Sequence, residues 1–202
     1  MKTIVMEHPR IASEKRFNDI ANTPLWSCLM GGYAAAALER EGFDTTFLDE
    51  ATSTASFDQT RKKILGVSPD LLCVNAVYFW EHTPVLFDFF SELKTLGFSG
   101  HINLFGFFPS LAYRKILNTC DQVDSIAVGE FEHTLIELAR ALEKGNLLNT
   151  IEGLALKSCL TDNTNPMRTP AKNPDVFAFP KRSSLEGIVT ILASRGCYNH
   201  CS

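Results

Sequence analysis

Apolar residues fall in short blocks along this chain, and the clearest block is DLLCVNAVY, Asp70 to Tyr78. Leu71 through Val74 are apolar without a break, entered through Ser68-Pro69-Asp70 and left through the polar Asn75. A strand that is apolar without alternation is buried on both faces, as in the middle of a parallel sheet. A buried helical segment shows the same run, but the Pro at its entry and the helical pattern after it favour a strand.

The other blocks fit around it. Thr3–Met6 reads as a first strand, followed by an irregular stretch, Glu7 to Thr23, that is longer than a compact strand-to-helix connection needs and therefore reads as functional or mobile. Leu25 to Glu41 predicts a helix stopped by Gly42. Its small flank, Gly31-Gly32 and Ala34–Ala37, suits close packing on a sheet or on a bulky flat ligand. Phe43–Leu48 is a second strand, and Phe57, Ile64 and Leu65 mark a short helix before the strand at Asp70. Pro84–Leu96 is a helix with Leu86, Phe89, Leu93 and Leu96 on one face. Then come a strand at His101–Phe105, a short helix at Leu111–Leu117 and a strand at Val123–Val128. The last helix carries the stripe Phe131, Leu135, Leu138 and Leu142 and closes at Lys144-Gly145.

Five strands alternating with five helices predict an α/β fold: a doubly wound, flavodoxin-like (Rossmann-like) parallel five-stranded sheet in the order 2-1-3-4-5. This first domain spans residues 1–156, with Ile151–Lys157 as a possible added strand. Residues 157–186 turn to Asn, Thr and Pro and read as a linker, and residues 187–202 begin a second domain with a strand at Gly187–Ala193.

Composition narrows the function classes. Apolar residues make up 45% and charged residues 21% of 202 residues, the balance of a soluble globular protein. A net charge of −4 with no basic stripe gives no case for nucleic acid or a membrane surface. No apolar stretch approaches the ~20 residues of a membrane span, and the start is too short for a signal peptide. Six cysteines set mostly in apolar segments point to a reducing cytoplasm rather than a disulfide framework.

In open parallel sheets the ligand sits outside the carboxyl ends of the strands, where the strand order reverses. A dinucleotide needs a glycine-rich turn after the first strand, and here that position reads Glu7-His8-Pro9-Arg10. A P-loop is missing for the same reason, and a phospho-receiver would carry Asp where this chain has Asn75 and a Lys near Gly129. The positive features are three strand ends: Asn75-Ala76-Val77, Gly106-Phe107-Phe108-Pro109 and Gly129-Glu130-Phe131-Glu132. Glycine there lets a ligand approach the backbone with no Cβ in the way, so replacing Gly106 with Val is expected to weaken binding with little loss of fold. Tyr78-Phe79-Trp80 suit core packing or contact with a planar ligand, and His8 suits an ordinary loop histidine or a metal ligand.

At these residues the chain resembles the cobalamin-binding domains that precede radical SAM enzymes. Such domains place a small polar residue after strand three and a glycine pair after strand four, and residues 78 to 105 span their usual interval. The Gly129–Glu132 step and Pro24-Leu25 are similar to that family's GEGE and PLGL steps, with departures at Phe107 and Phe131. The end of the chain, Ser194-Arg195-Gly196-Cys197-Tyr198-Asn199-His200-Cys201-Ser202, resembles the opening of a radical SAM barrel, whose cluster motif is CxxxCxxC. Cys197 and Cys201 match its first two cysteines, and the third would fall at position 204, past Ser202. The resemblance implies cobalamin held by Pro24, Leu25, Asn75, Ala76, Val77, Tyr78, Gly106, Phe107, Phe108, Pro109, Gly129, Glu130, Phe131 and Glu132. It implies a [4Fe–4S] cluster on Cys197 and Cys201 and S-adenosylmethionine as a further cofactor in the full-length protein, where a radical SAM barrel is the partner domain. The string D-x-H-x-x-G, which cobalamin families that bind cobalt through a protein histidine carry after the first strand, is absent here, so the resemblance implies cobalamin without a protein imidazole beneath cobalt and leaves His8 as the nearby candidate for an exception. The whole protein is then expected to carry out methyl transfer or a radical rearrangement or cyclisation, with the fragment binding only. A flavodoxin-like regulatory or interaction domain without cofactor is the alternative.

Overall fold

The computed structural model describes residues 1–9, 29–51, 53, 55–76, 83–160, 168–182, 191, 192 and 195. The described elements run β1 (Lys2–Glu7), α1 (Leu29–Arg40), β2 (Asp44–Asp49), α2 (Phe57–Val67), β3 (Leu71–Asn75), α3 (Thr83–Thr95), β4 (His101–Phe105), α4 (Phe107–Thr119), β5 (Ser125–Ala127), α5 (Glu132–Lys144) and β6 (Leu154–Leu156). They build one sheet ordered β2-β1-β3-β4-β5-β6.

The expected doubly wound sheet is present, with two amendments. Ile151–Lys157 does supply a sixth strand, and it pairs antiparallel to β5, with Ser125 opposite Leu156 and Ala127 opposite Leu154. The chain reaches β6 by way of α5, and Gly153, at φ 76°, sits in the turn that leads into the strand. The Val123–Val128 strand shortens to three residues.

β3 is buried along its whole length between β1 and β4, which accounts for its unbroken apolar run. Its neighbours on the two faces differ. Ile4, Met6, Leu72 and Val74 pack with Ile64 of α2, Leu86, Phe89, Phe90 and Leu93 of α3, and Ile116 and Leu117 of α4. On the other face, Val5, Leu71, Cys73 and Phe105 pack with Tyr33, Ala34 and Leu38 of α1 and with Leu135 and Leu138 of α5. Each fully buried Leu, Ile or Phe contributes roughly 1.5–3 kcal/mol relative to exposure, so both faces hold the layers together.

Local signals set the helix ends. Ser56 and Gln59 form a reciprocal capping box on α2, and Ser68 closes that helix at φ 49°. Gly145, at φ 67°, closes α5. α4 begins earlier than the expected Leu111, because Phe107, Phe108 and Pro109 are its first turn rather than a loop. Proline fits a first helical turn, where its missing N–H has no partner to lose.

The Pro-rich stretch lies against the domain. Lys181 donates its backbone N–H to the Gly32 carbonyl at 2.9 Å, and Arg40 reaches the Val176 carbonyl at 2.8 Å. Arg168 holds Glu137 at 2.6 Å and the Glu152 carbonyl at 3.2 Å. A Cβ on Gly32 would stand 2.3 Å from the Lys181 oxygen, and one on Gly31 would stand 2.7 Å from Glu7 Oε1. The small flank of α1 therefore serves close packing on the sheet and the trailing chain. The expected strand at Gly187–Ala193 lies largely outside the described residues; Ile191 and Leu192, the two described there, are not in a strand.

Candidate functional site

The strand order reverses between β1 and β3, since the chain leaves β1 for β2 on one side and reaches β3 on the other. That reversal marks the crevice where such sheets take ligands. Glu7 and Asn75, the last residues of the two strands, are register partners there. Asn75 donates its side-chain N–H to Glu7 Oε1 at 2.6 Å, and the Gly31 backbone N–H reaches the same oxygen at 2.8 Å. Glu7 is fully buried and Asn75 is 2% exposed. With its amide nitrogen committed to Glu7, Asn75 keeps Oδ1 as a buried acceptor that no described group satisfies.

The second strand end is β4. Gly106 caps α4 at φ 106°, ψ −173°, a conformation essentially restricted to glycine. The expectation that Gly106→Val would leave the fold largely intact is thus corrected: a β-branched side chain is strained at this backbone whatever space surrounds it. Next to Gly106, Phe107 is 64% and Leu111 82% exposed, one turn apart on α4. Phe108 packs at the edge of the core and Pro109 is buried.

The third strand end is joined to the second. Gly129, at φ 81°, donates its N–H to Ser110 Oγ at 3.0 Å, and Ser110 passes its own hydroxyl hydrogen to the Gly106 carbonyl at 2.7 Å. Ser110 thus bridges the ends of β4 and β5. Phe131 is 1% exposed, with its ring 4.7 Å from that of Phe105, so it belongs to the core and presents no ring to the rim. Glu130 accepts the Ala171 N–H at 2.7 Å, and Glu132, 1% exposed, pairs with Arg195 at 2.5 Å. The two carboxylates hold the trailing chain.

Asn75, Ala76, Gly106 and Gly129 therefore end three strands, and β3 is hydrogen-bonded to β4 and β4 to β5. Pro24, Leu25, Val77, Tyr78, Cys197 and Cys201 lie outside the described residues. His8 is fully buried, its Nδ1 2.9 Å from the Pro9 carbonyl and its ring stacked on Phe57 at 6.4 Å. Cys73 is buried, and burial pushes its thiol well above the usual range. Among the described residues no cluster of three or more His, Cys, Asp or Glu could hold a metal, and no helix is long and apolar enough to cross a membrane.

Sequence reading passed over Glu7, Ser110, Leu111 and Tyr33. Glu7 was a visible signal, a charged residue closing an apolar strand; the role of Ser110 depends on a contact between two strand ends that no local pattern encodes. A separate open, polar cleft of about 650 Å³ lies at the amino ends of β1, β3, β4 and β5, lined by Asp70, Lys94, His101, Asp124 and Glu143 among others. It does not touch the reversal point, so topology and donor chemistry make the rim the candidate site.

No family model matches the chain. The chain is 27% identical over 161 residues to the anaerobic magnesium-protoporphyrin IX monomethyl ester cyclase of Rubrivivax gelatinosus, covering 75% of this chain and 26% of that protein. It spans about a quarter of that relative's length. Its fold matches the cobalamin-dependent S-adenosylmethionine radical enzyme OxsB with aqua-cobalamin bound at a TM-score of 0.63 and 18% identity, over 84% of this chain and 23% of that one. It also matches the radical S-adenosylmethionine methyltransferase TsrM from Kitasatospora setae, with cobalamin and a [4Fe–4S] cluster bound, at a TM-score of 0.56 and 20% identity. That match covers 75% of this chain and 28% of TsrM. The fold implied by the resemblance is the fold that this chain shares with these two proteins.

Proposed function

We propose that this chain is the cobalamin-binding part of a cobalamin-dependent radical SAM enzyme, with the corrin seated on the carboxyl-end rim formed by Asn75, Gly106 and Gly129. The observation that carries the reading is the unsatisfied Asn75 Oδ1 at the strand-order reversal, with two positive-φ glycines at the ends of the next two strands. Corrin side chains are primary amides whose N–H groups suit a buried carbonyl acceptor. Backbone without Cβ at Gly106 and Gly129 suits a broad planar ring, and exposed Phe107 and Leu111 offer apolar contact beside it. The residues present therefore fit the group.

Each residue has a definite task in this reading. Glu7 orients the Asn75 amide, Ser110 fixes the spacing of the two glycine turns, and the burial of His8 leaves no described imidazole on the rim for cobalt. Bound cobalamin supplies a cobalt centre able to carry and release an alkyl group. Cys197 and Cys201 provide two thiolates of a [4Fe–4S] cluster that binds S-adenosylmethionine once a third thiolate joins them. The relative's and neighbours' names, a cyclase and a methyltransferase among them, support cyclisation or methyl transfer as the chemistry of the whole protein.

Titrating the purified chain with hydroxocobalamin and recording the visible spectrum tests the binding step. A saturable spectral change that is lost on adding excess free apo-binder of cobalamin supports it. An unchanged spectrum at tens of micromolar of both components counts against it.

A further inference from the structure

Resting on the reading above, we propose that Glu132 and Arg195 form a clasp that docks the cysteine-bearing segment onto the sheet domain, making Arg195 a positioning residue for Cys197. Glu132 opens α5 and is 1% exposed, while the Arg195 side chain is 16% exposed. Their ion pair closes at 2.5 Å. Two rings complete the seat: the guanidinium carbon lies 4.1 Å from the Phe177 ring centroid and 4.9 Å from that of Tyr33. Planar guanidinium against aromatic rings is a contact that lysine reproduces poorly. The Leu192 N–H also reaches the Tyr33 hydroxyl at 3.4 Å, so α1 holds the same segment at a second point.

The clasp answers a need on each side. Partial burial disfavours the Arg195 cation, and the carboxylate of Glu132 beside it compensates that cost. Glu132, for its part, has Oε2 buried without a described partner, so Arg195 is the one cation the described residues bring to it. Removing either member strands the other away from water. Only two peptide units separate Arg195 from Cys197, which bounds their Cα separation at about 7 Å. Fixing Arg195 therefore fixes where the first cluster thiolate is tethered relative to the rim. The acidic step after β5 gains a role beyond lining a ligand site: Glu130 holds Ala171 and Glu132 holds Arg195.

Hydrogen–deuterium exchange on residues 1–202 without cobalamin tests the clasp separately from the cofactor reading. Arg195→Gln and Glu132→Gln should each raise exchange in residues 183–202 by roughly tenfold while β1, β3 and β4 keep their protection. The double variant should add little to either single one, and Arg195→Lys should restore part of the protection. Unchanged exchange in residues 183–202 in both single variants, additive effects, or equal loss of protection throughout the sheet would each overturn the proposal. Hydroxocobalamin titration of the same variants reports on the rim independently, so the two readings fail by different measurements.

Discussion

Asn75 donates its amide to Glu7 Oε1 across the β1–β3 pair at 2.6 Å, at the point where the strand order of the sheet reverses. A buried carboxylate is stable there only while donors face it, and the Gly31 N–H supplies the second. Asn75→Ala removes one donor from a buried carboxyl group and should lower stability by about 1–3 kcal/mol, read as a reduced urea midpoint with unchanged slope. Asn75→Asp should cost more at pH 8 than at pH 5, since it sets two carboxylates against each other until one takes a proton. Equal stability of wild type and Asn75→Ala would remove Glu7 from the account.

Ser110 gives a gentler probe of the rim than Gly106. Ser110→Ala deletes both the bond to the Gly106 carbonyl and the acceptor for the Gly129 N–H. The loss should be about 1 kcal/mol in stability, with a several-fold weaker hydroxocobalamin affinity by spectral titration. Gly106→Val, by contrast, should also lower the thermal midpoint, because φ 106° admits no L side chain without strain. Identical affinity in Ser110→Ala would separate the ligand from the glycine turns.

What could be read in advance follows from how local each determinant is. β3 was legible because a central parallel strand carries an unbroken apolar run, Leu71 to Val74, and β4, whose apolar run is interrupted by Asn103, still matches its expected bounds His101–Phe105. The α4 start was hidden because Gly106 and Pro109 look like loop residues, while both are normal at a helix N-terminus. Phe131 follows a strand end, where an aromatic side chain can face either the cleft or the core, and its contact with Phe105 decides the matter. The docking of residues 168–182 on the domain was not legible, since Lys181–Gly32 and Arg40–Val176 join positions far apart in sequence. The rim was found through its glycines; the side chains that brace it, Glu7 and Ser110, act through tertiary contacts.

His101 predicts a pH dependence away from the rim. Burial lowers its pKa, the Lys94 charge pushes the same way, and Asp124 opposes both. Its Nε2 lies 2.7 Å from Ser125 Oγ, which also accepts from Asn103 at 2.8 Å, so the neutral ring is the one that takes the Ser125 hydrogen. Below the ordinary histidine range the unfolded chain binds a proton that the folded chain resists. This contribution is therefore complete above about pH 6.5 and declines as pH falls toward the lowered folded value. Between pH 7.5 and 5.5 the wild type should lose more stability than His101→Gln, with the difference changing by at most about 1.4 kcal/mol per pH unit. Parallel stability curves for the two proteins would contradict it.

The central claim is that the carboxyl-end rim of this sheet holds cobalamin, and equilibrium dialysis tests it most directly. Residues 1–202 should retain hydroxocobalamin at tens of micromolar, Cys197→Ala should retain it equally, and Ser110→Ala should retain several-fold less. No retention by the wild type, or equal retention by wild type and Ser110→Ala, would contradict the account.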